Sequence, residues 1–168
     1  MNKKIFVSGS SGFLGSHLVD ILQLKGNNVI SFDNSEKSIS GKKNTFTGDI
    51  LDYKSVEKAI KGCEIVCHFA AVSDIQESFD DPKKTLEVNI IGTLNILKAS
   101  IKNNVKKFVF ASSIYVYSKY GSFYRISKQS SEKLIEEYSR QYNLNYMILR
   151  FGSLYGTRSN INNSIYNM

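Results

Sequence analysis

Tyr124 and Lys128 stand four residues apart in the run Tyr-Arg-Ile-Ser-Lys, and Ser112 and Ser113 come shortly before them. Residues i and i+4 of a helix lie on one face, which sets a phenol beside an ammonium group. A neighbouring positive charge favours the phenolate and draws a tyrosine pKa down from its usual value of about 10. A phenol tuned in this way exchanges a proton with a substrate hydroxyl. The chain has 10 tyrosines, so the spacing alone carries little weight. Its weight comes from the glycine turn and the strand-end serines that precede it.

That turn is Gly9-x-x-Gly12-x-x-Gly15, between a β-branched and aromatic run at residues 4–7 and a helix spaced by Leu14, Leu18, Ile21 and Leu22. Glycine there lets a backbone approach a pyrophosphate, and the last glycine lets helix and strand pack closely. The phosphates then meet the free N–H groups at the helix start. Glycines at such spacing also mark ordinary turns. The strand at 28–33 ends in Asp33, 18 residues after Gly15, with Asn34 beside it. A carboxylate in that position accepts hydrogen bonds from the adenosine ribose and repels a 2′-phosphate, which favours NAD over NADP. The competing reading of Asp33 is a solvated loop aspartate.

These residues need a frame. A short strand at 45–48 precedes Asp49 and Ile50, which are placed to meet an adenine. A helix follows at 53–60 with Val56 and Ile60 on one face, and then a continuous apolar strand at 65–71. Its small end, Phe69-Ala70-Ala71, leaves room for a cofactor. Asp80-Asp81-Pro82 opens a helix over 82–103 with Leu86, Ile90, Leu94, Leu97 and Ile101 at helical spacing. Asn89, one position off that stripe, is placed to point toward the carboxyl end of the sheet. The strand at 107–112 brings Ser112 and Ser113 to its carboxyl end, where ligands of open parallel sheets bind; otherwise they are a plain serine pair. A helix over 124–142, a strand over 145–151 and a turn from Gly152 to Gly156 complete the order. Alternating strands and helices predict an α/β fold with a doubly wound parallel sheet of the Rossmann type. Residues 1–157 form that domain, and 158–168 are an asparagine-rich polar tail.

Composition narrows the partners. There are 22 basic and 15 acidic residues, but the lysines are single or paired and lack an aromatic platform, so a solvated surface is expected rather than a nucleic-acid interface. No apolar run approaches the roughly 20 residues of a membrane span. The run behind the basic N-terminus breaks at Ser8-Gly9, too early for a signal peptide, and a cytoplasmic location follows by default. Cys63 and Cys67, with His68 after them, form a poor zinc pattern; two reduced core cysteines and no metal are expected.

In order and register, Gly9/Gly12/Gly15, Asp33, Asp49-Ile50, His68-Phe69-Ala70-Ala71, Asn89 with Gly92-Thr93, Ser112-Ser113 with Val116-Tyr117, Tyr124/Lys128 and the run Arg150 to Gly156 resemble the extended short-chain dehydrogenase/reductase family. Its members include nucleotide-sugar epimerases and dehydratases. The resemblance implies that Phe13 and Leu14 offer N–H groups to the pyrophosphate of NAD. It further implies that Phe69, Ala70 and Ala71 line the cofactor and Gly152 lies near the nicotinamide. Asn89 and Ser112 join the cofactor site, and Ser113, Tyr124 and Lys128 form the catalytic set, Lys128 also holding the nicotinamide ribose.

The chain departs from the family pattern in four places. Ile114-Tyr115 replaces the Asp-Glu of the dehydratases, and Tyr115 also replaces a glutamate of the decarboxylating members. Only ten residues separate Ser113 from Tyr124, which remodels the active-site mouth. Ser153 stands where many members carry a substrate-contacting asparagine. The C-terminal substrate lobe is missing from these residues.

The resemblance implies an NAD-dependent nucleotide-sugar epimerase, or the cofactor domain of one. A net oxidoreductase of a nucleotide sugar or other carbonyl is the alternative enzyme, and a non-catalytic NAD-binding sensor the alternative class. Family analogy adds a homodimer through the helices at 82–103 and 124–142.

Overall fold

The computed structural model describes residues 2–36, 38–39 and 44–159. The polar tail expected over 158–168 lies, beyond Ser159, outside them, as does part of the lysine-rich loop after Ser35. Six parallel strands, β1 (Lys4–Ser8), β2 (Asn28–Asp33), β3 (Phe46–Thr47), β4 (Ile65–His68), β5 (Lys107–Ser113) and β6 (Tyr146–Phe151), lie in the order β3-β2-β1-β4-β5-β6. The order reverses between β1 and β4, which opens a crevice beyond the carboxyl ends of the two central strands.

Successive strand residues face opposite sides. Phe6, Ile30, Phe32, Val66, Phe108 and Phe110 build the larger core with helices α2 (Tyr53–Ile60), α5 (Gly92–Lys102) and α6 (Ser122–Tyr142). Ile5, Val7, Val29 and Cys67 build the smaller one against α1 (Phe13–Leu24). Cys63 and Cys67 are both free and buried, and burial pushes their thiols up to about 11 and about 12, away from reactivity.

The structure redraws several expected elements. Ile21 is 52% exposed, and Val19 takes its place under α1. The strand expected over 65–71 pairs only as far as His68, because Phe69–Ala71 turn out of the ladder into the crevice. A helix the sequence reading passed over, α3 (Ile75–Asp80), is capped by the Asp74 carboxylate accepting the Glu77 N–H at 2.9 Å. Asp and Glu three apart were its signal.

The helix expected over 82–103 is α4 (Pro82–Leu86), a π-turn (Glu87–Ile91) and α5, end to end. Its most buried positions include Thr85, Asn89, Thr93, Ile96, Leu97, Ala99 and Ser100, so Leu97 of the expected apolar stripe is fully buried and a polar face runs beside it. Ser127 and Ser131 of α6 meet that face, so the two helices are joined by hydrogen bonds that a hydrophobic pattern cannot disclose.

Candidate active site

A cleft of about 820 Å³ lies at the carboxyl ends of the strands. Every residue assigned to the site from the sequence lines it, except Asn89. Gly9, at φ +70°, turns the chain so tightly that a Cβ there would sit 2.5 Å from the Ala70 nitrogen. A Cβ on Gly15 would come within 2.0 Å of the Gly9 carbonyl oxygen, so this glycine is what allows α1 to start against the turn. Gly12 differs: its Cβ would meet nothing closer than the Gly9 oxygen at 3.5 Å. The protein tolerates a side chain at Gly12; the open space there belongs to the cleft, beside Phe13 and Leu14 at the helix start.

Asp33 is tied to that turn. Its carboxylate accepts the Ser11 N–H at 2.9 Å and the Ser35 N–H at 3.0 Å. Asn34, Asp49 and Ile50 line the same end of the cleft. Asn44 accepts from the Ser10 hydroxyl and donates to the Ser11 hydroxyl and the Ser35 carbonyl, each at 2.7 Å. An asparagine among lysines carried no periodic signal.

At the other end, Ser113 caps a short 3-10 turn (Ile114–Tyr117), its hydroxyl accepting the Tyr115 N–H at 3.2 Å. Burial raises the Tyr124 pKa; the Ser113 hydroxyl pulls it back down, and Tyr115 adds to the rise. The sequence reading had Lys128 drawing this pKa down, and the structure corrects it. The Lys128 ammonium lies 5.7 Å from the centre of the Tyr124 ring, and it donates to the Ala111 carbonyl at 2.9 Å. Burial pushes Lys128 itself down to about 7, against an upward pull from Glu132.

Ser112 and Asn89 each have protein partners of their own. Ser112 lines the cleft, yet its hydroxyl donates to Glu132 at 2.5 Å. Burial favours protonated Glu132, but hydrogen bonds from Arg150 and Ser112 outweigh it and hold the carboxyl below its ordinary range. Arg150 forks onto both Glu132 oxygens, at 3.0 and 2.7 Å, and also donates to the Tyr117 hydroxyl. Asn89 is 2% exposed. Its amide accepts the Val72 N–H at 2.8 Å and donates to the Val72 carbonyl and the Ser127 hydroxyl. With its donors and acceptor engaged, Asn89 braces the cleft wall and is not itself among the lining residues.

His68 lies behind that wall. Thr93 spends its one hydroxyl proton on the Asn89 carbonyl at 2.6 Å, so His68 Nε2 must donate to Thr93 at 2.9 Å. His68 Nδ1 therefore accepts from Ser8, at 2.7 Å, and the Ser8 oxygen accepts the N–H groups of Phe69 and Ala70. Burial, then the nearby Lys128 charge, lower the His68 pKa to about 3, which keeps the ring neutral.

The model of the NAD dependent epimerase/dehydratase family matches residues 5–168. The chain belongs to that family. It is 35% identical to a putative UDP-glucose 4-epimerase of Methanocaldococcus jannaschii over 92% of this chain and 57% of the relative. Against a UDP-N-acetyl-alpha-D-glucosaminuronate decarboxylase of Bacillus cytotoxicus it is 32% identical, over 95% of this chain and 57% of the relative. The UDP-glucose 4-epimerase of Thermotoga maritima, solved with UDP-glucose, superposes with a TM-score of 0.87 at 33% identity over 95% of this chain and 58% of that one. The Thermus thermophilus UDP-glucose 4-epimerase, solved with NAD, gives 0.84 at 31% identity, over 96% of this chain and 58% of that one.

The chain thus spans a little under three fifths of the length of these family relatives. Among the described residues no helix is long and apolar enough to cross a membrane. Several lining residues escaped the sequence reading, among them Ser11, Val72, Glu77, Lys84 and Leu154. Glu77 and Lys84 reach the cleft as an ion pair of 2.9 Å between α3 and α4, and the unrecognised α3 hid it.

Proposed function

We propose that this chain is the cofactor-binding and proton-transferring part of an NAD-dependent nucleotide-sugar epimerase. The observation that carries this reading is one cleft holding Gly12 and Asp33 at one end and Ser113, Tyr124 and Lys128 at the other. The residues fit NAD: Gly12 leaves space for a pyrophosphate, with Phe13 and Leu14 at the helix start beside it. Asp33 is fixed where a ribose with two free hydroxyls suits it. When bound, NAD supplies the site that takes up hydride from a sugar carbon and returns it.

The chain's own residues handle the proton. The Tyr124 phenol accepts it from the sugar hydroxyl and gives it back, and Ser113 hydrogen-bonds the oxygen that becomes a ketone. Tyr124 must first be deprotonated, and its burial opposes this. Lys128, on the same helix face and held by the Ala111 carbonyl, would hold the nicotinamide ribose of bound NAD, from which hydride would return to the other face of the keto-sugar.

Denaturing the purified protein and weighing the released nucleotide tests the reading. Near-stoichiometric NAD supports a cofactor regenerated in each cycle. A chain that neither releases a nucleotide nor binds added NADH refutes it. A homodimer through the helices at 82–103 and 124–142 belongs to the same proposal. Ile91 and Ile126 stand exposed on those helices, and sedimentation showing only monomer at high concentration refutes the pairing.

A further inference from the structure

Tyr115 has no part in the proton transfer described above, yet three contacts place it at the centre of that machinery. Its N–H donates to the Ser113 oxygen at 3.2 Å. That bond occupies a lone pair of the hydroxyl and leaves its single proton free for a partner on the cleft side, where Ser113 acts on the Tyr124 phenol. Its ring stands edge-on to the Tyr124 ring, with centroids 6.5 Å apart and planes at 76°. The ring also has a built seat. Gly121, at φ +107°, lies so close that a Cβ there would come within 2.9 Å of Tyr115 Cδ1 and 3.2 Å of its Cγ.

Backbone and side chain of one residue therefore act on the two members of the Ser113–Tyr124 pair, and a glycine in a left-handed conformation holds that residue in place. We infer that Tyr115 is a positioning residue, which aims the Ser113 proton at Tyr124 through its N–H and shields the Tyr124 phenol from water with its ring. The inference rests on reading Tyr124 as the proton-exchanging group, but its test does not require turnover.

Burial is the largest influence on Tyr124, and Tyr115 adds a separate, smaller electrostatic rise through its hydroxyl. The ionisable groups facing the phenol are Tyr115, from the 3-10 turn, and Lys128, from α6; Glu132 acts on Lys128. Removing the Tyr115 ring opens one side of the phenol to water and leaves Lys128 where it is. The Tyr124 pKa then moves down toward the ordinary tyrosine value. Removing the Tyr115 hydroxyl alone keeps both the shield and the N–H.

The test is a ¹³C NMR titration of the full chain labelled at tyrosine Cζ, with the Tyr124 resonance assigned by its loss in Tyr124→Phe. Tyr115→Ala is expected to lower the Tyr124 midpoint by about one unit, and Tyr115→Phe to leave it within about half a unit of the parent. Gly121→Ala, which expels the ring from its seat without altering it, shifts the midpoint the same way as Tyr115→Ala. An unchanged midpoint in Tyr115→Ala overturns the inference. So does a fall in Tyr115→Phe as large as that in Tyr115→Ala, because the hydroxyl and not the ring would then be responsible. Should Tyr124→Phe turn over normally while Tyr115→Ala still moves the midpoint, the catalytic reading fails and the positioning role stands.

Discussion

The carboxylate of Asp33, at the end of β2, accepts the backbone N–H of Ser11, in the glycine turn, at 2.9 Å. Two groups 22 residues apart in the chain thereby form one binding surface. The carboxylate expected at a ribose is oriented by the loop expected at a pyrophosphate. Asp33→Ala removes the ribose acceptor and frees the turn, so NADH affinity should fall by about tenfold and the preference over NADPH should narrow. Fluorescence titration with both nucleotides measures this; an unchanged ratio would place the ribose elsewhere.

Gly12 and Gly15 separate binding from folding. A methyl group at Gly12 meets no protein atom closer than 3.5 Å, whereas at Gly15 it would overlap the Gly9 carbonyl at 2.0 Å. Gly12→Ala should therefore unfold within about 1 kcal/mol of the parent while losing nucleotide affinity. Gly15→Ala should cost about 3 kcal/mol or more. Urea denaturation and NADH titration of the two variants check the pair.

Tyr124→Phe should remove most turnover of the complete enzyme while NADH binding persists, since only the hydroxyl is lost. Comparable turnover in this variant would refute the proton role.

His68 makes stability depend on acid. The folded ring stays neutral down to about pH 3, while the unfolded ring takes a proton near 6.5. Between those values the unfolded chain binds the extra proton, so stability falls as pH is lowered through 6.5 and keeps falling toward 3. Glu132 and other paired carboxylates contribute below 4.5. Between pH 6.5 and 4.5 the loss should be roughly 2 kcal/mol, and His68→Gln should flatten it. Urea midpoints at a series of pH values give the slope.

Lys128 acts at the alkaline side. Its folded pKa of about 7 lies below the ordinary 10.5, so between them the unfolded chain holds a proton that the folded chain lacks. Stability from this group is lowest below pH 7 and rises from 7 toward 10.5. Lys128→Met, which keeps the stem and removes the charge, should abolish that rise and stabilise the protein at neutral pH. A parent whose stability does not rise between pH 7 and 9 relative to Lys128→Met would show that the amine is hydrated.

Spacing and side-chain type along the chain were enough to read the parallel α/β frame and to single out the glycine turn, Asp33, Ser113, Tyr124 and Lys128, which line one cleft. Each depends on local rules, such as the two-residue period of a strand, the four-residue return of a helix, or the backbone freedom of glycine. Three-dimensional contact alone decided which partners those groups meet. Helical spacing put Lys128 on the face of Tyr124, but the Ala111 carbonyl decided where its ammonium points. Asn89 and Ser112 were placed at the carboxyl end of the sheet, and the fold gives them partners that the sequence does not show: Val72 and Ser127 for Asn89, Glu132 for Ser112. The polar seam from Ser8 through His68 and Thr93 to Asn89 left no pattern in the sequence. Its bonds from Ser8 to His68 and from His68 to Thr93 join residues that meet only once the sheet and its helix have packed, and burial there, by excluding water, shifts the pKa of His68.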